Sequence, residues 1–306
     1  MCYTEGTMIY YVFVLLAVLC FTLQFVFTKL FAACTRGGGV TAFAMLLAVG
    51  VAGVAVSLVA TWGDIRLSWV SWVLALAFAL VMVPYHTLSV KALSLGSLSI
   101  YSVFMMLGGM LLPFLYGITL LAEDPTPGKV LGCLFLVLAI VWQGVTEARS
   151  EGHTGGGGRY LFLCLAIFLI NGMTGILSEI HAIHPATEDE ASFLFASSLL
   201  TAVLAGIGLL VALLRGGETA GKEWKAFFAS KPILCALLLG AAMSTGNFLI
   251  LLAAKQVPAS VQFPLISGGT IVLSALASLL LFREGRSFKR WLPILVAFLS
   301  TLLFAF

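Results

Sequence analysis

Ten apolar runs of about twenty residues, parted by short polar breaks, decide what this chain can become. They lie near residues 9–33, 39–62, 69–90, 98–121, 129–145, 160–182, 191–214, 232–254, 260–282 and 290–306. A run of roughly 20 apolar residues matches a hydrocarbon core about 30 Å thick. Lipid cannot satisfy free backbone groups, and the runs are too long for barrel strands, so helices are expected. Only 9% of the residues are charged, against about 25% in a soluble domain. The net charge of +3 is small and scattered, which gives no basis for a nucleic-acid partner. The first run is not read as a cleaved signal, because its head, MCYTEGTMIYY, lacks Lys and Arg and the run is too long. Cys20, Cys133, Cys164 and Cys235 fall inside runs, with Cys2 and Cys34 near run ends. That placement suits packing residues rather than a disulfide framework.

The stretch TEARSEGHTGGGG, residues 146–158, is glycine-rich and polar and reads as a flexible linker. It separates a first unit, 8–145, from a second, 159–306, with five runs in each. An odd number of crossings makes the second unit enter the membrane inverted. The segments 92–126 and 253–287 align without gaps, setting Ser99 over Ser260, Gly108 over Gly269 and Glu123 over Glu284. The expected fold is therefore all-α, a ten-transmembrane-helix bundle of two inverted five-helix repeats. Such a repeat points to a carrier with its site near the midplane.

Those ten runs, closed by VPASVQFPLISGG and LLLFREGRS, make the chain similar to the drug/metabolite transporter superfamily, EamA-like branch. The similarity spans nearly the whole chain, on loose motifs. It implies an inverted five-plus-five bundle with a cavity lined mainly by helices 1, 3, 4, 6, 8 and 9. It also implies gating by tilting of the 3–4 and 8–9 hairpins. It names no substrate.

Polar and helix-breaking residues inside the runs are the candidates for function. Pro264 removes a backbone donor, and Gly268 and Gly269 allow close helix approach, so a kink facing a wet cavity is expected in the ninth run. Gln262, Ile266 and Gly269 share one helical face, as do Tyr101, Met105 and Gly108 at the matching positions of the fourth. Pro84, Gly108, Pro113, Pro264, Gly268 and Gly269 are read as hinge or gating positions, with packing as the alternative. Asn171, Thr174 and Ser178 form a stripe on the sixth run, Gln24 and Thr28 on the first, and Gly240, Ser244 and Asn247 on the eighth. Gln24, Tyr85, Tyr101, Asn171, Thr174, Asn247 and Gln262 are the expected substrate contacts. The alternative for any one of them is a hydrogen bond between helices.

No Asp or Glu falls at a mid-run position, where proton-coupled cation exporters keep a titratable acid. His86 is read as interfacial near the end of the third run, and Lys29 as snorkelling at the end of the first. Glu179, His181 and His184 lie where the sixth run ends, but lack a further ligand for a metal reading. No cofactor, metal or catalytic set is expected, and an intramembrane enzyme is disfavoured for want of convergent reactive residues. The expected cargo is a small neutral or zwitterionic metabolite, amino acid-like or similar, moved by alternating access. One alternative is an organic cation or drug held on aromatic faces, given 23 Phe, 7 Tyr and 6 Trp. Another is a non-transporting scaffold or sensor. The partners expected are the solute, the lipid bilayer and, as an open option, a second copy of the chain. The expected location is a cell membrane, in a bacterial plasma membrane.

Of 16 Lys and Arg, Arg66, Lys129 and Lys255 lie in even-numbered loops and the rest in odd-numbered ones. The positive-inside rule then puts the odd loops in the cytoplasm and both termini outside. GKEWKAFFASK, with Trp224, Phe227 and Phe228 among lysines, suits an anionic inner leaflet. The resemblance implies the reverse orientation, and the charge count is preferred.

Overall fold

A computed structural model describes residues 3–35, 39–120, 126–184, 186–187, 189–253, 256–257, 259–283 and 288–303, except 151–156. Side chains are described for these apart from 3–7, 140, 143–150, 157, 230, 259–260, 263–264 and 288–291. Glu123, Glu284 and residues 151–156 of the expected linker lie outside the described residues, whereas 146–150 and 157–158, read as linker, are helical.

Among the described residues the chain is all-helical. Eleven helices follow in order: α1 (Tyr3–Cys34), α2 (Gly39–Thr61), α3 (Trp69–Leu95), α4 (Leu98–Leu120), α5 (Pro127–Ser150), α6 (Gly157–Ile183), α7 (Glu190–Arg215), α8 (Gly217–Phe227), α9 (Ser230–Ala253), α10 (Ala259–Leu281) and α11 (Phe288–Leu303). Each of the ten apolar runs coincides with a helix, and α8 is the addition. Among the described residues seven helices (α1–α4, α6, α7 and α9) are long and apolar enough to cross a membrane. Shorter apolar stretches occupy α5, α10 and α11. Large apolar side chains face outward, such as Leu15 at 64% and Leu210 at 58% exposure, while Thr22, Ser102 and Ser274 are buried. That inversion of the usual soluble pattern fits lipid as solvent. By helix length and composition this is a multi-pass membrane protein.

The buried hydroxyls need partners, and the helix itself supplies many. Thr22 donates to the Val18 carbonyl, Thr28 to Gln24, Ser89 to Tyr85 and Ser274 to Thr270. A Ser or Thr that bonds back one turn costs the membrane interior little.

The chain divides into two compact units. The first holds residues 1–22, 95–176 and 249–306. Its core joins Val14, Ala17, Val18 and Phe21 of α1 to Ala253, Val257 and Ile266. Here α4 and α6 touch closely. A Cβ added at Gly108 would overlap the Phe168 carbonyl oxygen, and one at Gly109 would lie 2.6 Å from Asn171 Nδ2. Gly269 sits against Val18 and Gly268 against Thr301 and Phe298. Ser300 ties α11 to α5 by donating to the Gly132 carbonyl at 2.8 Å.

The second unit holds residues 23–94 and 177–248, with α2 packed along α7. The short helix α8 is tethered at two points. Glu223 accepts the Val40 N–H at 3.1 Å, so a carboxylate sits at the α2 N-terminus. Phe227 is buried edge-on against Phe31. The apolar face expected for lipid is thus divided: Phe227 turns inward, while Phe228 stays 52% exposed. Lys29, expected to snorkel, is buried and engaged with a partner.

Candidate functional site

A cavity opens within the second unit, walled by one face of each of four helices. α2 gives Val49, Gly50 and Ser57; α3 gives Phe78, Met82 and His86. α7 gives Leu194, Ser197, Ser198 and Thr201; α9 gives Met243, Ser244 and Asn247. The spacings on α3 (i, i+4, i+8) and α7 (i, i+3, i+4, i+7) are those of a single helical stripe. Small residues explain why space remains here. Gly50 would place a Cβ 2.8 Å from Ala202, and Gly53 would place one 2.6 Å from Ser198 Oγ. Gly240 of α9 lies equally close to the α2 backbone at Val49. The backbones are held together at these contacts, and the short side chains beside them leave a gap of about 50 Å³ for the centres of water-sized groups.

The lining is mixed and uncharged: hydroxyls, one amide and one imidazole, with Val49, Gly50, Leu194, Phe78 and two methionines. His86 is 2% exposed, and its Nε2 has no hydrogen-bond partner among the described residues. A buried polar atom left unpaired costs about 1–3 kcal/mol. His86 lies well inside α3 rather than near its end. The helix continues past Lys91, which is exposed, through buried Ala92 and Leu93 to Leu95.

The expected substrate contacts are not gathered in this cavity. Asn247 lines it. Tyr85 adjoins it, its ring edge-on to His86 at 4.9 Å. Gln24 Nε2 donates to the Tyr85 hydroxyl at 3.4 Å, and Gln24 Oε1 is buried without a partner. In the other unit, Asn171 Nδ2 donates to the Met105 carbonyl at 2.8 Å, and Thr174 donates to Asn171. Tyr101 is buried there. Gln262 Nε2 donates to the Ile250 carbonyl at 2.7 Å.

Of the hinge positions, Pro84 lies within a continuous α3, on its exposed side. Pro113 lies within α4, where it would meet a Cβ on Gly175 at 2.6 Å. α10 runs on through Pro264, whose side chain is outside the described residues. Gly108, Gly268 and Gly269 occupy the close contacts given above, which by themselves account for glycine.

The histidines at the end of α6 have protein partners. His181 Nε2 and Ser71 Oγ hydrogen-bond at 3.0 Å, and the His181 ring stacks on Phe193. His184 Nδ1 accepts the Ala186 N–H.

No family model matches the chain, and no curated protein does. One solved structure, described only as "Crystal structure of protein", has a similar fold. Its TM-score is 0.57 at 20% identity, over 94% of this chain and 95% of that one. At that identity the likeness concerns the fold alone.

Proposed function

We propose that this chain is a membrane carrier for a small neutral or zwitterionic solute, working by alternating access through ten crossings in two inverted repeats. In this reading it is a member of the EamA-like branch of the drug/metabolite transporter superfamily. One observation carries it: an uncharged cavity with hydroxyls, an amide and an imidazole in its wall, inside a bundle of apolar helices, where the buried His86 Nε2 has no partner among the described residues. A scaffold has no use for such a cavity, since filling it with apolar side chains would stabilise the bundle. A carrier for organic cations would want a carboxylate or an aromatic box, and the lining offers a single Phe78. With no acid in the wall, the transport proposed is facilitated or exchange rather than proton-driven.

The test is a thermal-shift screen of the purified protein against a metabolite library, followed by counterflow of each stabilising solute into loaded proteoliposomes without a pH gradient. A ligand that binds the native form raises its apparent stability. Transient accumulation of labelled solute is the expected result. Flux that appears only with an imposed pH gradient would overturn the uncoupled mechanism. Stabilising solutes that never exchange would overturn the carrier.

A further inference from the structure

The cavity wall narrows the cargo beyond a neutral or zwitterionic solute. Resting on the carrier reading, we propose that this cavity binds a small uncharged solute bearing hydrogen-bond donors and acceptors, a polyol or simple amide, anchored on His86 Nε2. Three observations converge on that class.

His86 is almost wholly buried, lines the cavity, and has an Nε2 that meets no protein partner among the described residues. Buried polar atoms are paired in nearly all native proteins, and because Nε2 is itself closed to water-sized groups, a small shift of the wall must bring it to the solute. That nitrogen donates or accepts according to its tautomer, so it can meet a hydroxyl in either role. Around it, Ser198, Thr201, Ser244 and Asn247 bring further donors and acceptors from α7 and α9.

None of the thirteen lining residues is Asp, Glu, Lys or Arg. A carboxylate or ammonium moved there would lose its hydration and find no opposite charge. An uncharged solute suffers no such loss, because each of its polar atoms exchanges one hydrogen bond for another. The zwitterion is therefore the disfavoured branch of the broader reading.

The size agrees. One water centre takes about 10–15 Å³. A gap of about 50 Å³ then holds roughly three to five non-hydrogen atoms. Phe78, Met82 and Met243, with Val49 and Leu194, give the wall its apolar part and suit a short carbon skeleton.

The experiment is stopped-flow reswelling of proteoliposomes challenged in turn with ethylene glycol, acetamide and glycine. Protein-free liposomes set the baseline. Ethylene glycol or acetamide is expected to enter faster than baseline, with glycine at baseline. His86→Leu should lower the protein-dependent rate about tenfold, the scale of one lost hydrogen bond, while His86→Gln stays within about threefold. Gel filtration checks that both variants fold, and if His86→Leu does not, the wild-type solute ranking decides alone. Glycine entering as fast as the neutral solutes, or an unchanged rate in folded His86→Leu, overturns this inference and leaves the carrier standing. No solute above baseline also overturns this inference, whereas the carrier reading falls only if the solutes that stabilise the protein never exchange.

Discussion

Replacing Gly108 by alanine separates a packing contact from a hinge. The new methyl would land on the Phe168 carbonyl oxygen, with the Phe168 Cα 2.8 Å away. These are backbone atoms of a neighbouring helix, so no side-chain rotation relieves the overlap. Overpacking of this kind costs about 1–3 kcal/mol, and a backbone clash belongs at the upper end. Alanine regains about 1 kcal/mol of helix propensity over glycine. The net is a loss of about 2 kcal/mol, or roughly 4 °C in apparent Tm for a chain of this size. Gly206 of α7 is the control, because an added Cβ there meets nothing within 4 Å. Gly206→Ala should leave the Tm unchanged or raise it by about 2 °C. The assay is thermal unfolding in detergent, followed by intrinsic fluorescence, with the two variants side by side. A Gly108→Ala protein as stable as Gly206→Ala would refute the packing argument. If that variant also lost solute flux, Gly108 would be a hinge.

Three further outcomes follow from the same geometry. Ser71→Ala strands the buried His181 Nε2, and should cost about 1–3 kcal/mol in detergent stability; an unchanged Tm would mean the Ser71–His181 bond carries nothing. Asn171→Ala and Gln262→Ala each lose one bond to a carbonyl, so each should cost about 0.6 kcal/mol, the membrane average. Both should keep more flux than Asn247→Ala, whose side chain lines the cavity, and the opposite ranking in a flux assay would move the site elsewhere. Cys34 is exposed at the end of α1, on a loop that the positive-inside rule places in the cytoplasm. An impermeant maleimide should therefore label it only in broken cells, and labelling in intact cells would reverse the orientation.

The helices were legible because each apolar run lies between polar breaks, and seven of them, among the described residues, have a bilayer's length. Their ends were less so. Lys91 looked like a boundary, yet it sits on the exposed side of a turn whose Ala92 and Leu93 are buried, so α3 continues and carries His86 into the interior. The helix α8 was legible only as an amphipathic patch. Its charges and aromatics were visible, but the contacts of Glu223 with α2 and of Phe227 with Phe31 join residues far apart in the chain. The cavity was the hardest to read. Amides drew attention because they are costly in lipid, and two of them turned out to be bonded to carbonyls. The hydroxyls of Ser198, Thr201 and Ser244 carry no such signal singly, since a helix can satisfy a hydroxyl by itself, as it does at Thr22 and Ser89. They gain meaning only once α7 and α9 are known to face the same gap as His86. The stripe of Gly240, Ser244 and Asn247 on the eighth run and the i, i+4 pair of Ser197 and Thr201 were the available hints.

Solute should occupy the gap among α2, α3, α7 and α9. The direct measurement replaces the six native cysteines, introduces Ser198→Cys in the cavity wall, and follows its reaction with a small uncharged thiosulfonate in proteoliposomes. The permeant solute should slow this reaction, while a cysteine at outward-facing Val203 reacts at the same rate with or without it. Equal rates at position 198 in the presence and absence of a solute that the protein carries would contradict that occupancy.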